Sequence, residues 1–188
     1  MSNSNSVTTT TTTSKTKDMV YIGMFAVIIA ICSWISIPTT VPFTLQTFAV
    51  FTAVGVLGGK RGTLAVLIYI LLGAVGVPVF AGFAGGPGVL MGLTGGYIVG
   101  FLVSALLMWG MEKLFGKSRL VLGLSMLLGL IVCYAFGTIW FMFVYTRSTG
   151  AIGLGAVLGM CVIPFVIPDC IKIVVALLIT DRLKKVVD

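Results

Sequence analysis

The sequence predicts an all-α integral membrane protein with six transmembrane helices and both termini in the cytoplasm. Composition is the first reason. Of 188 residues, 59% are hydrophobic and only 9% charged, and mean hydropathy is +1.18. A soluble domain carries about 25% charged residues, so in water this chain would expose large apolar patches and aggregate. The second reason is that its apolar residues run continuously over helix-length stretches, whereas a transmembrane β-barrel alternates with period two over ~10-residue segments. The third is that its basic residues bunch at the ends of those stretches, as a topology signal does.

Residues 1–17 form a polar tract with six consecutive threonines, Thr8 to Thr13, ending at Lys15 and Lys17. It has no apolar core before a cleavage site, so it reads as a disordered N-terminus. Residues 18–188 read as one six-helix membrane domain. The first span covers about 19–37 and stops at Pro38-Thr39-Thr40-Val41-Pro42. The second, about 43–58, stops at Gly58-Gly59-Lys60-Arg61-Gly62, and the third occupies about 63–77. A Gly/Pro-rich stretch from Pro78 to Leu93 follows. The fourth span, about 94–111, ends in a charged turn from Glu112 to Arg119, and the fifth runs about 120–145. A glycine-punctuated piece over 151–162 leads to Pro164 and a last apolar helix to about 180. A span needs ~20 apolar residues to cross ~30 Å of hydrocarbon, so the second and third look short.

With the N-terminus inside, the cytoplasmic side carries Lys15, Lys17, Lys60, Arg61, Lys113, Lys117, Arg119, Arg182, Lys184 and Lys185, and the outer side only Arg147. This predicts a multi-pass protein of the cytoplasmic membrane with both termini inside. The net charge of +7 is then a matter of topology, not of nucleic-acid binding. Histidine is absent, which excludes His-based acid–base catalysis, His-ligated haem and ordinary His-containing zinc sites. Cys32, Cys133, Cys161 and Cys170 each lie in an apolar run and read as small buried hydrophobes, with no metal site predicted.

Asp169 and Lys172 are the only charges placed inside an apolar span, and their spacing puts them on one helix face. A charge at the bilayer centre costs ~3 kcal/mol on insertion scales, so the two should face a cavity or each other. Counted from Pro164, they lie ~8 and ~12 Å below the outer end of the last helix. They read as the polar floor of a solute site, as an ion pair that fixes packing, or as a proton relay. Gln46, one turn inside the second span, needs a partner, either on another helix or on a ligand. The run Gly85-Gly86-Pro87-Gly88 allows close backbone approach or a lid, and turn chemistry accounts for it equally well. Trp34, Phe43, Tyr97 and Phe143 are apolar platforms near the outer ends.

Two small-residue patterns suit close helix packing. Gly92, Gly96 and Gly100 form a ridge whose default role is internal packing. Internal packing is equally the default for Ala26 and Ala30, which would serve a partner if their face looks outward. Gly116-Lys117-Ser118 resembles the end of a phosphate-binding loop, but position 111 is Met111 rather than glycine and the segment follows a membrane helix. Any ATP driving this chain would be hydrolysed elsewhere.

The segments Pro42-Phe43-Thr44-Leu45-Gln46-Thr47, Gly73 to Gly82, Gly95-Gly96-Tyr97 and Pro164 to Lys172, in that order, resemble the biotin-specific substrate-binding (S) components of energy-coupling-factor transporters. The likeness spans about 20–182. It implies a six-helix, non-enzymatic membrane subunit that captures biotin from outside with high affinity, as a transported ligand and not a cofactor. Its implied partners are a transmembrane coupling subunit, two cytosolic ATPase subunits and the lipid bilayer. The family pattern has Gly where this chain has Pro168. The implied site comprises Asp169, Lys172, Gln46, Tyr97, Phe43, Trp34, Gly86 and Phe143, with Ala26 and Ala30 in the docking groove. In this assignment Asp169 accepts a ureido N–H, Lys172 meets the carboxylate or the ureido oxygen, and Trp34, Phe43 and Tyr97 pack the ring.

The alternative is a self-sufficient, proton-coupled carrier of a small organic anion that uses Asp169 as its relay. An intramembrane enzyme would need Asp169 or a Ser–Lys arrangement, and the spacing gives Ser33, Ser36 and Ser104 no base partner.

Overall fold

The computed structural model describes residues 8–187. Eight helices carry the fold: α1 (Thr8–Trp34), α2 (Gln46–Leu57), α3 (Gly59–Ala74), α4 (Pro87–Met91), α5 (Gly95–Phe115), α6 (Arg119–Ser148), α7 (Leu154–Cys161) and α8 (Ile163–Val187). Four of them, α1, α5, α6 and α8, are long and apolar enough to cross a bilayer. Their outward faces carry large apolar side chains such as Val27, Ile31, Leu106, Ile131, Ile139 and Val174, which hydrocarbon accommodates and water would not.

Helix α1 starts at Thr8, so residues 8–17 are helical rather than part of a disordered tract. Once the apolar stretch from Met19 nucleates the helix, each added residue brings one more hydrogen bond. Threonine does not break that ladder as proline would. The rest of the predicted disordered tract, residues 1–7, lies outside the described residues.

Helices α2 and α3 are about 18 and 24 Å long, short of the ~30 Å hydrocarbon core. Helix α2 buries eleven of its twelve residues. It is apolar all round because it is enclosed by α1, α3, α5 and α8, not because lipid surrounds it. It turns into α3 at Gly58, whose φ of +78° is left-handed and favours glycine. A side chain at the next residue, Gly59, would meet the Trp109 backbone at 2.6 Å.

The glycine ridge does pack internally. A Cβ at Gly96 would strike Trp140, one at Gly100 would press on Cys133, and on α6 one at Gly137 would strike Tyr97. Ser104 Oγ donates to the Gly129 carbonyl at 2.6 Å across this α5–α6 seam. The short connection between the two helices makes them antiparallel neighbours.

The Ala26–Ala30 pair requires a correction. Both alanines are buried, at 2% and 4% exposure, on the side of α1 that packs against α2 and α3. Small side chains there bring α1 close to its neighbours, so these two alanines serve the inner seam. A second correction concerns Cys170, which is exposed, while Cys133 and Cys161 are buried and Cys32 is intermediate.

The basic clusters meet at one end of the bundle. Arg61 pairs with Asp18 at 3.2 Å, Lys117 with Glu112 at 3.5 Å, and Arg119 with Asp181 at 3.0 Å. Glu112 also accepts from the Gly59 N–H at 2.5 Å. Ser118 caps α6 by accepting from the Val121 N–H at 3.1 Å, which accounts for the residue behind the false phosphate-loop match.

The other end holds the irregular backbone. Between α1 and α2, Ser36–Ile37 (β1) pairs antiparallel with Phe43–Thr44 (β2). This small hairpin departs from a purely helical expectation and arises because Pro38 and Pro42 prevent helix from continuing. After α3 the chain folds back on itself, the Phe80 N–H donating to the Ala84 carbonyl at 2.9 Å and the Gly86 N–H to the Gly73 carbonyl at 2.7 Å.

Candidate functional site

At this irregular end the structure encloses a cavity of about 110 Å³. The hairpin supplies Val41, Pro42 and Thr44; the first turn of α2 supplies Gln46 and Thr47; the fold-back after α3 supplies Phe80 and Ala81. Val89 of α4 and Thr94 lead to Tyr97, Ile98 and Phe101 on one flank of α5. Leu130, Cys133 and Tyr134 come from the facing flank of α6. Cys161 ends α7, and Phe165, Asp169 and Lys172 lie on successive turns of α8. Few polar groups in a mostly apolar enclosure is the usual build of a small-molecule site.

The polar floor is a connected cluster. Lys172 Nζ donates to Asp169 Oδ1 at 2.7 Å and to the Thr44 carbonyl at 2.7 Å, and lies 4.1 Å above the centre of the Phe43 ring. Tyr134 Oη donates to Asp169 Oδ2 at 2.6 Å. The acid and the ammonium side chains are only 4% and 8% exposed. A pair this dry recovers its desolvation cost only if further hydrogen bonds satisfy both partners. Here the lysine, with three N–H donors, has two acceptors and a ring face. The carboxylate has a donor on each oxygen.

Gln46 is 4% exposed and donates from Nε2 to Tyr69 Oη at 3.0 Å, so its amide is anchored to α3 at the cavity edge. The Tyr69 ring meets Phe80 edge-on at 5.6 Å. Tyr97 Oη lies 3.4 Å from Thr138 Oγ1. Pro168 lies inside α8 just before Asp169; lacking an N–H, it removes one backbone bond in the turn above the acid.

Four of the predicted residues, Asp169, Lys172, Gln46 and Tyr97, thus come together around the cavity. Phe43 sits behind them, stacked on Phe165 at 5.7 Å with the ammonium over its face. Trp34, Gly86 and Phe143 do not line it. Trp34 donates from Nε1 to the Pro78 carbonyl at 2.9 Å and stacks on Phe83 at 5.0 Å, bracing the fold-back from outside. Gly86 has a φ of +94° and serves the turn that returns to Gly73. Phe143 is 51% exposed, with Arg147 4.0 Å over its ring, which is what an aromatic near an interface does.

Sequence reasoning missed Tyr134, Tyr69, the Thr44 carbonyl and the aromatic walls Phe80, Phe101 and Phe165. The two tyrosines carried a usable signal, because a phenol inside an apolar run needs a hydrogen-bond partner. The Thr44 carbonyl carried none, since any backbone offers one.

Fold and cavity together have the build of a membrane protein with a small-molecule chamber: a helical bundle with a mostly apolar cavity and a paired acid–base floor. Comparison with known proteins narrows this class. The chain belongs to the BioY family, whose profile matches residues 4–188. It is 45% identical over 170 residues to the biotin transporter BioY of Thermotoga maritima, across 90% of this chain and 96% of that one. It is 36% identical over 169 residues to the biotin transporter BioY2 of Lactococcus lactis subsp. cremoris, across 89% and 88%. Among solved structures it matches the crystal structure of the S-component for biotin from an ECF-type ABC transporter. That match has a TM-score of 0.83 and 29% identity, over 92% of this chain and 93% of the other.

Proposed function

We propose that this chain is the biotin-capturing S component of an energy-coupling-factor transporter, binding biotin in the cavity floored by Asp169 and Lys172. The observation that carries the reading is the buried Asp169–Lys172 pair, with Tyr134 donating to the acid, in a mostly apolar chamber. Biotin presents a ureido group with N–H donors and a carbonyl, an apolar bicyclic ring and a carboxylate. A carboxylate acceptor, an ammonium donor and aromatic walls complement such a molecule, and enclosing it with its hydrogen bonds satisfied supports high affinity. In this reading the six apolar runs account for six crossings, with both termini and the basic end in the cytoplasm and the cavity open to the outside. Uptake would then require a transmembrane coupling subunit and two cytosolic ATPases, in keeping with the likeness to an S-component from an ECF-type ABC transporter. Asp169 engaged by both Lys172 and Tyr134 supports a recognition role over that of a free proton relay.

The test is titration of the detergent-purified chain with biotin, read by tryptophan fluorescence, with thiamine and riboflavin as controls. Trp34 braces the cavity's fold-back and Trp140 donates to the Gly92 carbonyl at 3.0 Å beside α5, so both report on the walls. One-to-one quenching by biotin alone is the expected result. No response in folded, ligand-free protein would overturn the reading, as would proton-driven biotin accumulation in vesicles containing this chain alone. Co-purification with the coupling module tests the partners separately.

A further inference from the structure

The Tyr134 phenol is the one member of the polar floor to which the biotin reading gives no task. Among the described residues its hydroxyl makes a single hydrogen bond, donated to Asp169 Oδ2 at 2.6 Å. Lys172 holds the other oxygen, Oδ1, at 2.7 Å. The two donors stand on different helices, α6 and α8, and approach different oxygens. A carboxylate held this way cannot turn about its Cβ–Cγ bond without losing a bond, so its remaining lone pairs keep a fixed direction. Without the phenol, Oδ2 has no donor among the described residues. Nothing then opposes rotation of the carboxylate to offer both oxygens to Lys172, three residues along the same helix. Lys172 needs no such help, being fixed by the Thr44 carbonyl and the Phe43 ring.

We infer that Tyr134 is a positioning residue for ligand recognition, orienting the Asp169 carboxylate so that an acceptor faces an N–H group of the bound ligand. The inference rests on the reading of the cavity as a biotin site. It predicts that the phenol acts on affinity through Asp169 and not through general packing.

The experiment is a double-mutant cycle on the full-length purified chain: biotin affinity of the wild type, Tyr134→Phe, Asp169→Asn and the double variant, with ligand-free melting temperatures for each. Loss of a hydrogen bond to a charged group predicts that Tyr134→Phe binds biotin about 10- to 100-fold more weakly. In the Asp169→Asn background the same change is expected to cost less than about threefold, because contacting residues couple non-additively. A merely structural phenol would lower the melting temperature and weaken binding by the same factor in both backgrounds. That additive result, or an unchanged affinity for Tyr134→Phe, overturns the inference. Should Tyr134→Phe fail to fold, Tyr134→Gln against Tyr134→Met makes the same comparison of donor with no donor; the Gln variant is expected to bind more tightly, and equality overturns the inference. A wild type that does not bind biotin overturns the biotin reading and this inference with it. A wild type that binds, with no effect at position 134, overturns this inference alone.

Discussion

Replacing Gly137 by Ala adds one methyl group at a tight point of the α5–α6 seam, directly behind a cavity wall. An ideal Cβ there lies 2.6 Å from Tyr97 Cγ and closer still to Cδ1 and Cε1. Carbon atoms settle at about 3.5–4.0 Å, so the ring or the helix must give by about 1.5 Å. The obstacle is the root and edge of an aromatic ring rather than the end of a flexible chain. Overpacking of this kind costs about 1–3 kcal/mol, while exchanging glycine for alanine within a helix returns up to ~1 kcal/mol. The steric effect wins, for a net loss of about 1–2 kcal/mol. Gly110→Ala on α5 separates the two contributions, since a Cβ there meets nothing within 4 Å; only the propensity gain remains. Thermal unfolding in detergent is expected to place Gly137→Ala below wild type and Gly110→Ala at or above it. Because Tyr97 lines the cavity, biotin affinity should fall about tenfold in the first variant, equivalent to ~1.4 kcal/mol, and hold in the second. If the two variants unfold and bind alike, the seam does not set the position of the wall and the reasoning fails.

The other expectations concern buried polar groups. Lys172→Met strands the Asp169 carboxylate at 4% exposure and should cost about 3–5 kcal/mol; the double variant with Asp169→Asn should recover part of it, as judged from paired melting curves. Gln46→Leu removes the donor to Tyr69 Oη and is expected to cost about 1–3 kcal/mol along with a measurable loss of biotin affinity. Thr180→Val is expected to go the other way. The Thr180 hydroxyl is buried without a hydrogen-bond partner, so an apolar isostere should leave stability unchanged or raise it by about 1 kcal/mol, without altering binding.

The apolar runs and their Gly, Pro and charged interruptions locate the helices well because both properties are local. What surrounds an apolar helix is not local. Helix α2 and helix α6 are both apolar, yet one is enclosed by protein and the other presents Leu124, Ile131 and Ile139 outward. The same ambiguity kept two roles open for Ala26 and Ala30, since small residues serve an inner seam and an outer groove equally. The β1–β2 hairpin was invisible because two-residue strands have no period to detect. At the site, Asp169, Lys172 and Gln46 stood out because a polar group in hydrocarbon needs a reason. Tyr134 did not, because its ring passes for core. Trp34 and Phe143 were chosen for nearness to the outer ends, where aromatics belong whether or not a ligand is present.

One physical constraint ties the irregular end of the chain to its cavity. Backbone that is neither helix nor closed sheet is tolerated at membrane depth only where protein buries it or where it lines a cavity. The hairpin and the fold-back after α3 meet that condition at the same place. Thr44 spends its carbonyl on the Lys172 ammonium, Phe80 gives its N–H to the Ala84 carbonyl, and Gly86 returns its N–H to the end of α3. Of the residues that make this backbone admissible, Thr44 and Phe80 also line the chamber. The lysine is therefore a structural clasp as well as a recognition group, joining α8 to the hairpin 128 positions earlier in the chain. Asp169 and the Thr44 carbonyl hold two of its N–H groups. A ligand that accepts from the third competes with the Phe43 ring, so binding at the floor and the set of the hairpin are coupled through the lysine.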